Sequence, residues 1–417
     1  NLFLSLLFTL FALTGFSQQL AFPTAKGAGA FTTGGRGGQV IHVTNLNASG
    51  PGSFYEALQA TGTRTIVFDV GGVIDMRPVT GFYVPIMEGS QHDNVTIAGQ
   101  TAPGGITIEG YSFFFNRVDN VIMRYVRVKH VSIPNKQEDG AFIRGTNLIF
   151  DNCTFLNGKD ETVSFYDTTQ SMGKVTLQNS LIGNGKTGMI MGGRDGNFAD
   201  NTFSLLENLF VDISHRFPNT SPYSDAKYDI INNVVYGAKL RYVTMGGGDG
   251  QTYANSQINL NYVNNYNKIS SFFRDIYGNY EQDNFHQIQE YSLNPTNKKI
   301  FSGGNIVTGW IDTPQATDFE LWTNFNYSGW GNGEWNYVPL QEFSIGNGFT
   351  TTKNQLLGQP FAIKSSEQAY TDVVANAGAN AYLNDSHEKV TYTETQEDYL
   401  RQKVINDSAT DHGGWNE

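Results

Sequence analysis

The stretch Asn147-Leu148-Ile149-Phe150-Asp151-Asn152-Cys153-Thr154-Phe155 opens on one asparagine, runs through a short apolar strand and reaches a second asparagine. The pattern recurs on both sides. Upstream stand Asn120-Val121-Ile122-Met123 and Asn94-Val95-Thr96-Ile97, so the opening asparagines at 94, 120 and 147 are 26 and 27 residues apart. Downstream, the closing asparagines at 152, 179, 208, 233 and 264 are 27, 29, 25 and 31 apart. A period in the twenties marks a solenoid, and no helical stripe accompanies it. Each unit holds short strands broken by Gly and Asn. The pattern predicts an all-β fold, a right-handed parallel β-helix whose turns bury their inward side chains against one another. Asn suits the corners because it tolerates left-handed backbone, and its amide can bond the asparagine one coil away. A β-propeller is the alternative, but its repeats run to about 40 residues or more.

Composition agrees. Of 417 residues 46 are Gly and only 12 Pro, which excludes collagen-like and Pro-rich disordered chains. With 27 basic and 39 acidic residues the net charge is −12, so no basic excess exists to neutralise phosphates. Nucleic acid and anionic membranes are therefore not expected partners. A single cysteine, Cys153, excludes a disulfide framework and multi-cysteine metal sites. It reads as a small buried apolar residue, with a lone catalytic thiol as the alternative.

The chain divides into three expected parts. Residues 1–18 carry the apolar run Leu2 to Leu13, too short for a bilayer and followed by small residues, and read as a signal peptide lacking its charged start. The mature protein is then expected to be secreted, extracellular or periplasmic, free of the membrane and a monomer. Residues 19–290 form the β-helix. Residues 291–417 form a loop-rich and helical segment that packs on it. Short capping helices are predicted at Ser53 to Ala60, Ser365 to Ala377 and Glu394 to Val404. Trp310, Trp322, Trp330 and Trp335 read either as sugar-stacking platforms or as the core of an irregular lobe. The Gly-rich run Gly27 to Gly38 lacks the Gly-Lys-Ser/Thr ending of a phosphate loop and reads as a turn-rich entry to the first coil.

A β-helix offers a groove long enough for a polymer. On a solenoid, residues one period apart stack, and Asp139, Asp160, Lys186 and Arg216 are separated by 21, 26 and 30 residues. Carboxylates beside cations along a groove suit a hard cation such as Ca2+ and an acidic sugar polymer. The alternative is a set of ordinary solvated loop side chains. The histidines show no metal-ligand spacing.

At these residues the sequence resembles polysaccharide lyase family 1, the pectate lyases. The likeness takes in Ala21-Phe22-Pro23, Thr33 to Gly38, Val43 to Asn47, Ser49 to Ser53 and Ile66 to Val70. It continues through Glu138-Asp139-Gly140, Lys159-Asp160-Glu161, Gly185-Lys186-Thr187-Gly188 and His215-Arg216-Phe217-Pro218. The resemblance implies calcium-assisted β-elimination on polygalacturonate (pectin). It implies Asp139, Asp160 and Glu161 as calcium ligands, Arg216 as the base, with its pKa lowered by calcium and Lys186, and Lys186 as the uronate-holding catalytic partner. Arg194, His215 and Lys227 are expected to bind substrate. Two positions depart from the family pattern: Leu156 stands where some members carry an acid, and Ser221 where many carry a second arginine. A polygalacturonase-like hydrolase and a non-catalytic carbohydrate-binding β-helix are the competing readings. The first lacks an Asp-Asp pair near Gly-His-Gly, and the second does not require Arg216 and Lys186.

Overall fold

The computed structural model describes residues 18–167, 169–193, 199–220, 226–238, 243–245, 258–270, 286–289, 298–308, 322–326, 336–339 and 350–408. Residues 1–17 lie outside these ranges, as do Arg194, Trp310, Trp330 and Trp335. Strands stack in parallel, one above the next, into a right-handed parallel β-helix. One face is a ten-stranded ladder running from Gln39–Val43 to Lys298–Gly303. Its register aligns Ile66, Ile97, Met123, Phe150, Leu177, Leu205, Ile230 and Tyr262 into one inward column. All of these are buried. The parallel ladder stacks apolar residue on apolar residue coil after coil, so the core is continuous.

A second sheet wraps the other two faces. Its strands include β1 (Phe113–Asn116), β2 (Ala141–Ile143), β3 (Glu161–Asp167), β4 (Leu181–Gly193), β5 (Leu209–His215) and β6 (Asn219–Thr220). β1, β2, β3, the second half of β4 and β6 pair in that order on one face. The first half of β4 pairs with β5 on the other, so β4 turns the corner between faces.

Asparagine makes the corners, as the periodicity predicts, but in two distinct ways. Asn94, Asn120, Asn147, Asn152, Asn179, Asn232 and Asn264 all have φ between 50 and 60°, the left-handed region that Asn enters at low cost. Next to them runs a separate internal ladder of Asn208, Asn233, Asn265 and Asn305. Each side-chain oxygen accepts from the backbone N–H and the amide of the coil before it, at 2.8–3.0 Å. Ser180 and Cys153 continue this ladder towards the N-terminus. Cys153 is wholly buried and burial pushes its thiol up to about 12, so it is a packing residue without thiolate character.

The predicted helices are present: α1 (Phe54–Gln59), α2 (Ser366–Asn376) and α3 (Thr395–Asn406), with Ser53, Ser365 and Glu394 as N-caps. α1 buries Phe54 and Leu58 at the N-terminal end of the solenoid. α2 and α3 bury Val373, Val374, Ala377, Leu400 and Val404 against Leu156, Leu181, Leu209, Val211 and Val234. The ladders continue past residue 290 into Lys298–Gly303 and Ile306–Thr308. Trp322 belongs to a strand, Trp322–Asn326, that pairs antiparallel with Asn336–Pro339.

Candidate active site

Successive coils deliver the candidate residues to one edge of the β1–β6 face. Backbone hydrogen bonds hold their turns in register. Asp160 N–H donates to Glu138 O and Gly140 N–H to Glu161 O, both at 2.9 Å. Lys186 N–H donates to Gly158 O at 2.9 Å, and Thr187 N–H to Asp160 O at 3.1 Å. Met189 N–H then reaches Arg216 O at 2.9 Å. The Gly-Lys-Thr-Gly corner is glycine-rich because the backbone is crowded: a Cβ on Gly188 would sit 2.2 Å from Arg216 O. Arg216 itself has φ 70°, a conformation that costs a non-glycine residue on the order of 1–3 kcal/mol and clusters at functional sites.

Side-chain oxygens of Asp139, Asp160 and Glu161 lie within 4.8 Å of one another. Asp139 and Glu161 are buried and Asp160 is half-buried. Burial first, then the neighbouring carboxylates Glu161 and Asp160, hold the Asp139 carboxyl well above the usual carboxylate range. Glu161 is also raised, by burial, although the Arg216 guanidinium opposes it. Three carboxylates this crowded ionise together only beside matching positive charge, and all-oxygen donors suit a hard divalent cation. The donor set therefore fits calcium.

Arg216 Nη1 donates to Glu161 Oε1. Burial pulls the guanidinium pKa down, but Glu161, Asp160 and Asp139 outweigh it and the net direction is up. As the side chains stand, the carboxylates hold Arg216 as a cation. Lys186 lies one coil from Glu161, and its Nζ donates to Gln137 Oε1 at 3.0 Å. His215 shares a rung with Thr187 and Glu161, and its Nδ1 is 2.5 Å from Ser214 Oγ.

Lys227 is not part of this cluster. It sits on Ala226–Ile231 in the ten-stranded ladder and lines a different cavity with Lys174, Asn259 and Asn354. Lys227 stands six residues before the closing Asn233 of its own coil, and the period alone does not say which face a residue takes. Arg194 lies outside the described residues.

Two neighbours, Tyr83 and Gln137, escaped the sequence reading, and a third, Glu138, is quoted there without a role. Tyr83, from the loop before Met87–Glu88, lies in the field of Asp139, Asp160 and Glu161; burial and then these charges push its phenol above the usual range. Glu138 is wholly buried with its carboxyl raised to about 6 by burial, 3.7 Å from His130 Nε2. Gln137 holds Lys186. Glu138 opens a quoted motif and Gln137 adjoins it, whereas nothing in the Tyr83 loop carries a periodic signal.

Over 310 residues the chain is 35% identical to a protein of Emericella nidulans named as a probable pectate lyase C, an alignment covering 71% of this chain and 68% of that one. The chain belongs to the pectate lyase family. A probable pectate lyase C of Neosartorya fischeri is 39% identical over 256 residues, 59% of this chain and 56% of the relative, so the chain spans little more than half of that protein. No family model matches the chain. Among solved structures, a major allergen of cedar pollen shares the fold, with a TM-score of 0.55 over 84% of this chain and 92% of that one at 16% identity. The pectate lyase resemblance and the coil geometry thus meet at the same edge of the same face.

Proposed function

We propose that the protein is a pectate lyase, cleaving polygalacturonate by β-elimination, with the Asp139–Asp160–Glu161 cluster facing Arg216 as the observation that carries the reading. Asp139, Asp160 and Glu161 would hold calcium, which when bound supplies positive charge beside a uronate carboxylate and so makes the neighbouring C5 proton more acidic. Arg216 takes the proton from C5. The electron pair of the C–H bond becomes the C4=C5 double bond, and the C4–O bond breaks with its pair on the glycosidic oxygen, which takes a proton from water. The neighbouring acids keep Arg216 protonated as the side chains stand; positive charge bound among Asp139, Asp160 and Glu161 would offset them and let the guanidine accept a proton, and Glu161 fixes its direction. Lys186 supplies an ammonium one coil away that suits a uronate carboxylate. His215 lies on the rung between them and serves as a substrate contact.

The acidic polysaccharide is the proposed partner. Export follows from reading Leu2 to Leu13 as a leader, with the mature protein acting as an extracellular or periplasmic monomer. Among the described residues, no helix is long and apolar enough to cross a membrane. A hydrolase is not favoured: paired glycosidase carboxylates stand roughly 5–5.5 Å or 6.5–9.5 Å apart around a bond, whereas here three oxygens crowd within 4.8 Å.

The test is incubation with polygalacturonate and calcium while following ultraviolet absorbance of the conjugated product. Absorbance that rises with calcium and stops with a chelator is expected. Arg216→Ala is expected to lose at least roughly a hundredfold in turnover, the scale of a positioned proton acceptor, with its circular dichroism unchanged. Reducing ends without absorbance would point instead to hydrolysis.

A further inference from the structure

Upstream of the acidic cluster, the β1–β6 face carries a second constellation that the elimination step does not use. Phe114 and Phe142 occupy one rung of β1 and β2 and stack, with centroids 4.9 Å apart and planes at 16°. The Arg144 guanidinium lies 4.4 Å over the Phe142 ring and 5.6 Å from that of Phe114. Tyr83 meets Phe142 edge-on at 5.7 Å and forms a wall. Together with Asn116 and Glu88 these residues line an open cleft of about 580 Å³, within the range of small-ligand sites.

Two buried polar atoms beside this cleft, Arg144 Nε and Asn116 Oδ1, have no hydrogen-bond partner. Among the described residues no carboxylate forms an ion pair with Arg144. The acid lining the cleft, Glu88, is engaged by Asn116 Nδ2 at 2.6 Å, and Asn116 stands on the rung between Glu88 and Arg144. An arginine mounted on aromatic faces keeps its planar fork pre-oriented, which suits a planar carboxylate.

We propose that Arg144, carried on Phe114 and Phe142, is a specificity subsite for the carboxylate of a uronic acid residue. The proposal rests on the uronan reading above. The β2 strand is three coils from the backbone of Arg216, but the Arg216 guanidinium reaches back to Glu161, one coil from β2, and Asp139 lies just before β2, so the uronate held here adjoins the one undergoing elimination.

The experiment compares wild type, Arg144→Gln and Arg144→Lys on hexagalacturonate and on its fully methyl-esterified form. With saturating calcium, Arg144→Gln is expected to raise KM for the acid roughly tenfold while kcat stays within about twofold, a tenfold change being ~1.4 kcal/mol. Arg144→Lys keeps the charge without the fork, and an intermediate KM is expected. Calorimetric titration in chelator reads binding without turnover: the acid should bind about tenfold more weakly to Arg144→Gln, and the methyl ester equally to both. Equal binding of the acid, or equal weakening for acid and ester, overturns the subsite. If wild type cleaves no uronan, the lyase reading falls, while the titration still decides the subsite. Should Arg144→Gln fail to fold, judged by its melting curve, Arg144→Lys carries the comparison.

Discussion

Asp139 concentrates the electrostatic problem of the site in one carboxyl. It is buried, its Oδ1 accepts from Glu161 N–H at 3.3 Å, and two further acids crowd it. Burial raises its pKa first and the neighbouring acids add to that, so the ionised cluster destabilises the fold until positive charge offsets it. A bound cation therefore stabilises the folded protein by mass action, about 2.7 kcal/mol at roughly 100 times its Kd. Millimolar calcium is expected to raise the melting temperature of wild type by several degrees over chelator. Asp139→Asn should abolish that shift and, in chelator, should melt no lower than wild type because one of three repelling charges is gone. An unchanged calcium shift in Asp139→Asn would remove Asp139 from the cation site. At this scale the sequence is informative where a residue sits in a dense motif, as Asp139, Asp160, Lys186 and Arg216 do. It is silent on Tyr83, whose loop has no repeat to align it. Phe142 and Arg144 were readable in principle: two residues apart on a strand, they share a face, and Phe114 lies 28 residues, one coil, before Phe142.

Elements on the solenoid are held by a few deeply placed polar contacts as well as by apolar area. α3 docks through Glu397, which accepts from Arg127 Nε at 2.8 Å and from Thr154 Oγ1 at 2.7 Å. All three side chains are buried, and Arg127 also donates to Ala379 O at 2.9 Å. Removing one member of such a pair leaves an uncompensated buried charge, which costs about 3–5 kcal/mol. Glu397→Ala is therefore expected to lower the urea midpoint substantially, and Arg127→Met combined with it should recover much of the loss. A single variant as stable as wild type would mean that α3 adds little to the fold. The helix boundaries were legible from Ser53, Ser365 and Glu394, since capping is a local property. Where α2 and α3 dock was not, because Arg127 and Glu397 are 270 residues apart. Likewise, the asparagine periodicity announces corners, but it does not separate the left-handed Asn232 from the internal ladder member Asn233.

For the whole molecule, the repeat is what the sequence displays best, because one buried column per coil imposes the same pattern at each pass. The period does not specify the face, which is why Lys227 was grouped with residues on another sheet. The ten-stranded ladder and the returning C-terminal segment meet at Asp229. Its carboxylate accepts from Leu357 N–H and from Asn261 Nδ2, each at 2.8 Å. Burial pushes Asp229 up to about 6 from an ordinary 3.8, even though both hydrogen bonds favour the anion. A raised acid binds its proton more tightly in the folded chain than in the unfolded one. Its contribution to stability is therefore fully present below about pH 4 and is lost as pH climbs through about 6. The two-unit shift corresponds to about 3 kcal/mol. Other carboxylates titrate over the same interval, so the informative quantity is the difference between wild type and Asp229→Asn, which cannot ionise at this position. Urea unfolding at pH 4, 5, 6 and 7 is expected to show wild type losing about 2–3 kcal/mol relative to Asp229→Asn as pH rises, most of it between pH 4 and 6. Parallel curves would mean that Asp229 ionises in the folded protein as readily as in the unfolded chain, and that the contact between ladder and returning segment carries no pH dependence of its own.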